Sequence, residues 1–244
     1  MASKPKTARP VFANRGLMAA YKKALLEKLA GMRADYLAAA ASGDIVKAFK
    51  LVGAEWSERI NGWAPLIADS YMGRAFMQTD SAFVKSLADA GWIVKPEYTP
   101  QIKTALVSAV EENVALIKSI PEQFHQKIEK MVYANYLQGA DVGELEKELK
   151  KVFKGIDKRA TLIARDQIFK ANASVVKIRQ LENGITEAIW IHSGGGKVPR
   201  QSHVAAGRDR QVFKIAEGCY LDGEYIQPGE LINCRCVSRP ILPV

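Results

Sequence analysis

The chain has 244 residues, 48% of them hydrophobic and 25% charged, with a formal net charge of +9 at pH 7. That length and balance provide for a packed core and exclude wholesale disorder, collagen and fibrous arrays. The surplus positive charge points to a polyanionic neighbour but defines no fold, and no apolar run approaches the roughly 20 residues that span a bilayer.

In chain order, the first cations, Lys4, Lys6, Arg9 and Arg15, all precede the first acid, Glu27. Residues 1–15 therefore read as a basic, solvated, flexible arm of the kind that orders on a partner. No apolar stretch follows the basic start, so a secretory signal is not expected and assembly in the cytoplasm is. Residues 16–140 read as a helical domain. Leu17, Tyr21, Leu25, Leu29, Met32 and Tyr36 recur at three-four spacing and define one buried helix face. Ser42-Gly43-Asp44 is a stop followed by a cap, and a second helix is predicted over 45–60. Asn61-Gly62-Trp63-Ala64-Pro65 reads as a loop, and the helical pattern of 66–90 as breaking near Thr79-Asp80. Lys95-Pro96 and Thr99-Pro100 mark a connection, after which one helix is predicted over 101–119 and another from Pro121 to a stop at Gly139.

A further domain is expected over 141–244, with two helices followed by antiparallel strands. Asp141 to Glu144 forms an acidic capping pattern, Gly155 reads as a stop, and Asp157 as the cap of a longer helix with Ala164, Ile168, Ala171, Val175 and Ile178 on its buried stripe. After Asn183-Gly184 the pattern changes to strand formers at 187–192 and 211–215. Asp222-Gly223 between 219–221 and 224–226 is a strong hairpin signal, and 234–237 reads as a last strand ended by prolines. The expected class is α+β: a helical N-terminal region joined by a long helix to a small β-rich C-terminal module. Residues 151–244 carry 15 basic and 9 acidic side chains, so most of the surplus charge lies there.

All three cysteines, Cys219, Cys234 and Cys236, fall in this last part, and an odd count argues against a disulfide framework. With His203 they could supply ligands to zinc, the one cofactor the composition suggests. The competing reading makes them small buried hydrophobes on the inner face of a sheet. Arg200 and His203, close together on an expected loop, could act as electrostatic clamp and general base of a phosphoryl hydrolase or nuclease, or could serve packing alone. The run Gly194-Gly195-Gly196 lacks P-loop spacing. His125 reads as a helix-surface histidine, and the Arg165-Asp166-Gln167 cluster as reaching across to another element, in an ion pair that holds the long helix to the β-module. Lys4, Lys6, Arg9, Arg15, Arg208 and Arg210 are the candidate contacts to DNA or another acidic surface.

Several fragments in order carry a resemblance: Gly143-Glu144-Leu145, the helix from Arg159 through Arg165-Asp166-Gln167, Gly184-Ile185, Trp190, the Arg200-x-x-His203 step with Gly207, and Pro228 through Asn233-Cys234-Arg235-Cys236. Over residues 137–242 the chain resembles the phage head morphogenesis, or Mu F-like minor head protein, family. Arg159, Arg165, Asp166, Trp190, Asn233 and Arg235 are then motif residues with a structural role. The resemblance implies a non-enzymatic minor capsid protein of a tailed bacteriophage, located in the virion head near the portal. Its implied partners are the portal or major capsid protein and packaged double-stranded DNA, with no membrane. One departure is visible: the loop before the Arg-His step reads Ser193-Gly194-Gly195-Gly196-Lys197 where the family carries an acidic residue, which weakens the enzymatic reading.

Overall fold

The structure is a computed structural model that describes residues 5–95, 97–138, 142–195 and 198–243. Lys4, the stop at Gly139, the cap at Asp141, and Gly196 and Lys197 lie outside the described residues. Four long helices come first: α1 (Arg15–Ala40), α2 (Ile45–Asp89), α3 (Pro100–Gln138) and α4 (Val142–Glu182). The C-terminal part runs β1 (Glu187–Ile191), α5 (Gln201–Arg208), β2 (Val212–Lys214), β3 (Cys219–Leu221), β4 (Glu224–Ile226) and β5 (Val237–Ile241). The expected α+β class is found. Among the described residues no helix is long and apolar enough to cross a membrane.

The long helices ignore most of the predicted breaks. In α2 the i, i+4 stripe of Ile60, Ala64 and Ala68 is buried straight across Pro65, and further along Phe76, Phe83 and Leu87 are buried on both sides of Thr79-Asp80. The helix α3 runs through Pro121 with Ile117, Ile120, Phe124 and Ile128 buried. Gly155 and Asp157 lie inside α4, flanked by buried Leu149, Phe153, Ile156 and Ala160. A proline within a helix costs about 3 kcal/mol, which a continuous buried stripe can outweigh.

The chain divides into two compact units, each discontinuous in sequence, rather than the consecutive arm, helical domain and C-terminal domain expected. One comprises residues 18–71 and 110–165; the other comprises 1–17, 72–109 and 166–244. The first is helical. Its core holds the predicted stripe of α1, with Tyr21 donating to Asn113 Oδ1 at 2.5 Å and Tyr36 hydrogen-bonded to His125 Nδ1 at 2.9 Å. His125 is thus half-buried rather than a free surface group, and a Cβ on Gly53 would sit inside its ring. Arg33 pairs with Asp157 at 3.1 Å, and Arg159 donates to the Ser119 hydroxyl at 3.3 Å.

The second unit carries the sheets. Strands lie in the order β2-β1-β5, all antiparallel, with Ala188 opposite both Phe213 and Pro240. β3 and β4 form a separate hairpin whose turn, Asp222-Gly223, has φ of 54° and 91°, as the Asp-Gly signal predicts. The last strand begins at Val237, later than expected, and Pro240 lies within it rather than ending it. Proline lacks an N–H, but its carbonyl still accepts from the Ala8 N–H at 3.2 Å. That bond, the Leu242 N–H to Lys6 carbonyl bond at 2.8 Å and the Thr7 to Ile241 bridge place residues 6–8 along the free edge of β5. Ala8, Val11 and Ala13 are buried, so the expected flexible arm is a structural strap over residues 6–13. The core of this unit gathers around fully buried Trp190, with Ala8, Phe83, Leu87, Val176, Phe213, Cys219 and Leu242 among its members. A buried ion pair, Arg179 with Asp80 at 2.7 Å, and a bond from Gln180 Nε2 to the Ser238 hydroxyl at 3.1 Å join α4 to its neighbours here. Burial raises the Asp80 carboxyl above its ordinary range, against the pull of Arg179.

Candidate functional site

Three of the residues singled out from the sequence converge. His203 lies on α5, a helix where a loop was expected, and is 3% exposed. Cys234 and Cys236 lie just before β5, in a loop entered through Asn233 at φ 62°, a left-handed conformation that asparagine tolerates better than most residues. The nitrogen of His203 and the two sulfurs all lie within 4.8 Å of one another, and all three residues are buried. His203 Nδ1 is 3.5 Å from Cys234 Sγ and 3.7 Å from Cys236 Sγ. The Trp190 ring meets the imidazole edge-on with centroids 5.0 Å apart, which fixes the ring plane.

Backbone amides converge on the sulfurs. The Gly229 N–H donates to Cys234 Sγ at 3.4 Å, the Cys236 N–H points to the same sulfur, and the Ser193 N–H points to Cys236 Sγ. The hydrogen bond from the Cys236 thiol, helped by His203 and these amides, holds the Cys234 thiol well below its usual range despite burial. The same shared hydrogen bond, together with burial, pushes Cys236 up. The three side chains line one cavity of about 70 Å³ with His192, Ser193, Val198, Pro199, Arg200, Asn233 and Arg235.

Cys219 is not brought to this group. It is fully buried on β3 among apolar neighbours, where burial raises its thiol above its ordinary range. Its side chain faces the core because the hairpin register places Cys219 and Leu221 on one face, with Tyr220 outward. Cys219, expected as a fourth ligand, instead lies in the hydrophobic core, apart from the group formed by His203, Cys234 and Cys236. Arg200 is exposed, and both terminal nitrogens donate to the Ile232 carbonyl at 3.3 Å. His203 Nδ1 faces the sulfurs rather than solvent, and its Nε2 is buried without a hydrogen-bond partner. None of the described residues lining this cavity is a carboxylate.

The other motif residues build the frame. Asp166 accepts the Asn233 N–H at 3.0 Å, so α4 is tied to the cysteine loop through a backbone donor. Asp166 also pairs with Lys170 at 3.6 Å. The guanidinium of Arg235 lies 5.9 Å above the Phe169 ring and donates at 2.5 Å to the Gly195 carbonyl, anchoring the glycine-rich loop. Gly229 at φ 89° turns the chain close under α4, with a Cβ there meeting Ala173 at 2.9 Å. Sequence reading missed Gly229 as a sulfur donor, although a glycine five residues before Cys234 was visible. Of the candidate DNA or acidic-surface contacts, Lys6, Arg9, Arg15, Arg208 and Arg210 are exposed. Arg208 is occupied by Asp209 at 2.8 Å.

Residues 126–239 match the family described as Phage Mu protein F like protein. A protein of Haemophilus influenzae (strain ATCC 51907 / DSM 11121 / KW20 / Rd), described as an uncharacterized protein, is 32% identical over 179 residues. The match covers 72% of this chain and 39% of that relative, so the chain spans about two fifths of the length of the curated protein it matches. No solved structure matches the chain.

Proposed function

We propose that this chain, whose residues 126–239 match the Phage Mu protein F like family, is a minor capsid protein of a tailed bacteriophage. It attaches to the portal or to the inner surface of the head shell and touches packaged double-stranded DNA without reading its sequence. Assembly takes place in the host cytoplasm, and the protein ends in the virion head near the portal. The observation that carries this reading is the family match, which covers both the end of the helical part and the sheet module.

The surface chemistry supports the DNA contact. Residues 6–9 have a held backbone, through the Lys6 carbonyl to Leu242 just after β5 and the Arg9 carbonyl to Ser86 on α2, while the Lys6 and Arg9 side chains are exposed. Pinned cations of this kind bind phosphate by releasing condensed counterions, a contact independent of base sequence. The test compares heads purified from phage carrying and lacking the gene. The expected result is a few copies of the protein in each mature head, and a fall in infectious yield without it. Absence from mature heads together with unchanged head yield and infectivity overturns the proposal.

A further inference from the structure

We propose that His203, Cys234 and Cys236 form a zinc site with three protein ligands, whose fourth position is taken by solvent in the adjoining cavity. The distances carry the argument. Zinc bonds of about 2.3 Å to sulfur and about 2.0 Å to nitrogen, at tetrahedral angles, set each sulfur about 3.6 Å from the nitrogen. The two sulfurs stand at 3.5 and 3.7 Å from His203 Nδ1. Hydrogen bonding alone does not account for this arrangement. A single Nδ1 offers one lone pair or one proton, so it can serve one thiol, yet both sulfurs sit at nearly equal range.

Backbone donors are aimed at both sulfurs. Backbone N–H groups of Gly229 and Cys236 point at Cys234, and that of Ser193 points at Cys236. Two buried thiolates side by side require a compensating cation, and a divalent ion neutralises both at once. Two soft sulfurs and one imidazole select zinc over the hard, oxygen-seeking magnesium and calcium. On binding, each thiol releases its proton to solvent and the neutral imidazole donates its Nδ1 lone pair, so no oxidant or reductant enters. Among the described residues no fourth His, Cys, Asp or Glu joins the group, while the three ligands line a cavity of about 70 Å³. That space holds water at the open corner of the tetrahedron. The ion pins α5 to the loop before β5, which makes it a fastening of the module. This inference stands independently of the proposed role in the phage head.

The experiment uses the full untagged chain, expressed with zinc in the medium and purified without chelator. Elemental analysis should give close to one zinc per chain, retained in Cys219→Ala and lost in Cys234→Ala and Cys236→Ala. Because those two variants can fail to fold, the wild-type chain is also stripped and reloaded with cobalt(II). Intense visible bands of a four-coordinate ion with a thiolate-to-cobalt transition in the near ultraviolet are expected, and added azide should shift the visible bands. A folded wild-type chain that takes up less than one tenth of an equivalent of either metal overturns the site. Weak six-coordinate bands without the thiolate transition do the same. Bands that azide leaves unmoved overturn the open fourth position.

Discussion

His192 and Gly207 show how tightly single residues set the position of the candidate ligands. Gly207 sits on α5, four residues after His203, and a Cβ there would lie 2.4 Å from His192 Cβ and 2.8 Å from the His192 nitrogen. The obstruction is backbone that continues from β1, so it cannot swing aside. Gly207→Ala is therefore expected to push α5 away from β1 and lower stability by about 1–3 kcal/mol, read as a lower melting temperature. An unchanged melting temperature would show that the helix has room to move. Gly73, an open helical position with nothing near a built Cβ, is the control: Gly73→Ala should hold or raise the melting temperature. At this scale the sequence was informative about chemistry and silent about depth. Cys234 and Cys236 were legible as a pair through their spacing, and His203 through its type. Cys219 was grouped with them because composition counts thiols without showing that the β3–β4 hairpin turns this one toward Trp190 and Phe213.

Pro65 poses the corresponding question for an element. It is exposed on α2, while its neighbours Ala64 and Ala68 are fully buried. The ring therefore contributes no core packing, and it removes one backbone donor from the helix. Pro65→Ala should restore that hydrogen bond and stabilise the chain by about 1–3 kcal/mol, seen as a higher melting temperature in circular dichroism. A fall would mean that the proline bend is needed to fit the stripe into its unit. The same competition explains how much of the fold could be read. The stripe of α1, the hairpin turn and the change of period after Gly184 were all legible, because local chemistry and burial agree there. Pro65, Pro121 and Gly155 were read as boundaries because their local preference is visible, whereas the buried faces that override it depend on partners distant in the chain. The strap over residues 6–13 was hidden for a related reason. Its basic side chains, Lys6 and Arg9, look like those of a solvated tail, and its backbone partners, on β5, Ser86 and Asn172, are all distant in the chain.

For the molecule as a whole, the charge of +9 acts through where its cations are held. Lys6 and Arg9 present exposed side chains from a bound backbone, whereas Arg208 is already matched with Asp209. Filter binding to double-stranded DNA should weaken steeply with salt and show no sequence preference. Lys6→Gln with Arg9→Gln should lower the logarithmic salt slope by about two, roughly one for each lost phosphate contact, while Arg208→Gln changes it less. A slope unaffected by the paired substitution would place the DNA contact elsewhere on the chain. Circular dichroism should show both variants folded, because Lys6 and Arg9 hold the strap through main-chain carbonyls.

The strap also orders events in time. Thr7 and Ile241 lie far apart along the chain, so the bridge between them cannot form until the ribosome has made β5. Until then the early segment has no β5 edge to join, and the apolar side chains of Ala8 and Val11 wait without it. Closing so long a loop is slow, because its entropy is spent before the contact returns anything. Completion of the sheet module therefore waits on the synthesis of β5. The nascent chain is exposed until then to chaperones, proteases and other copies of itself.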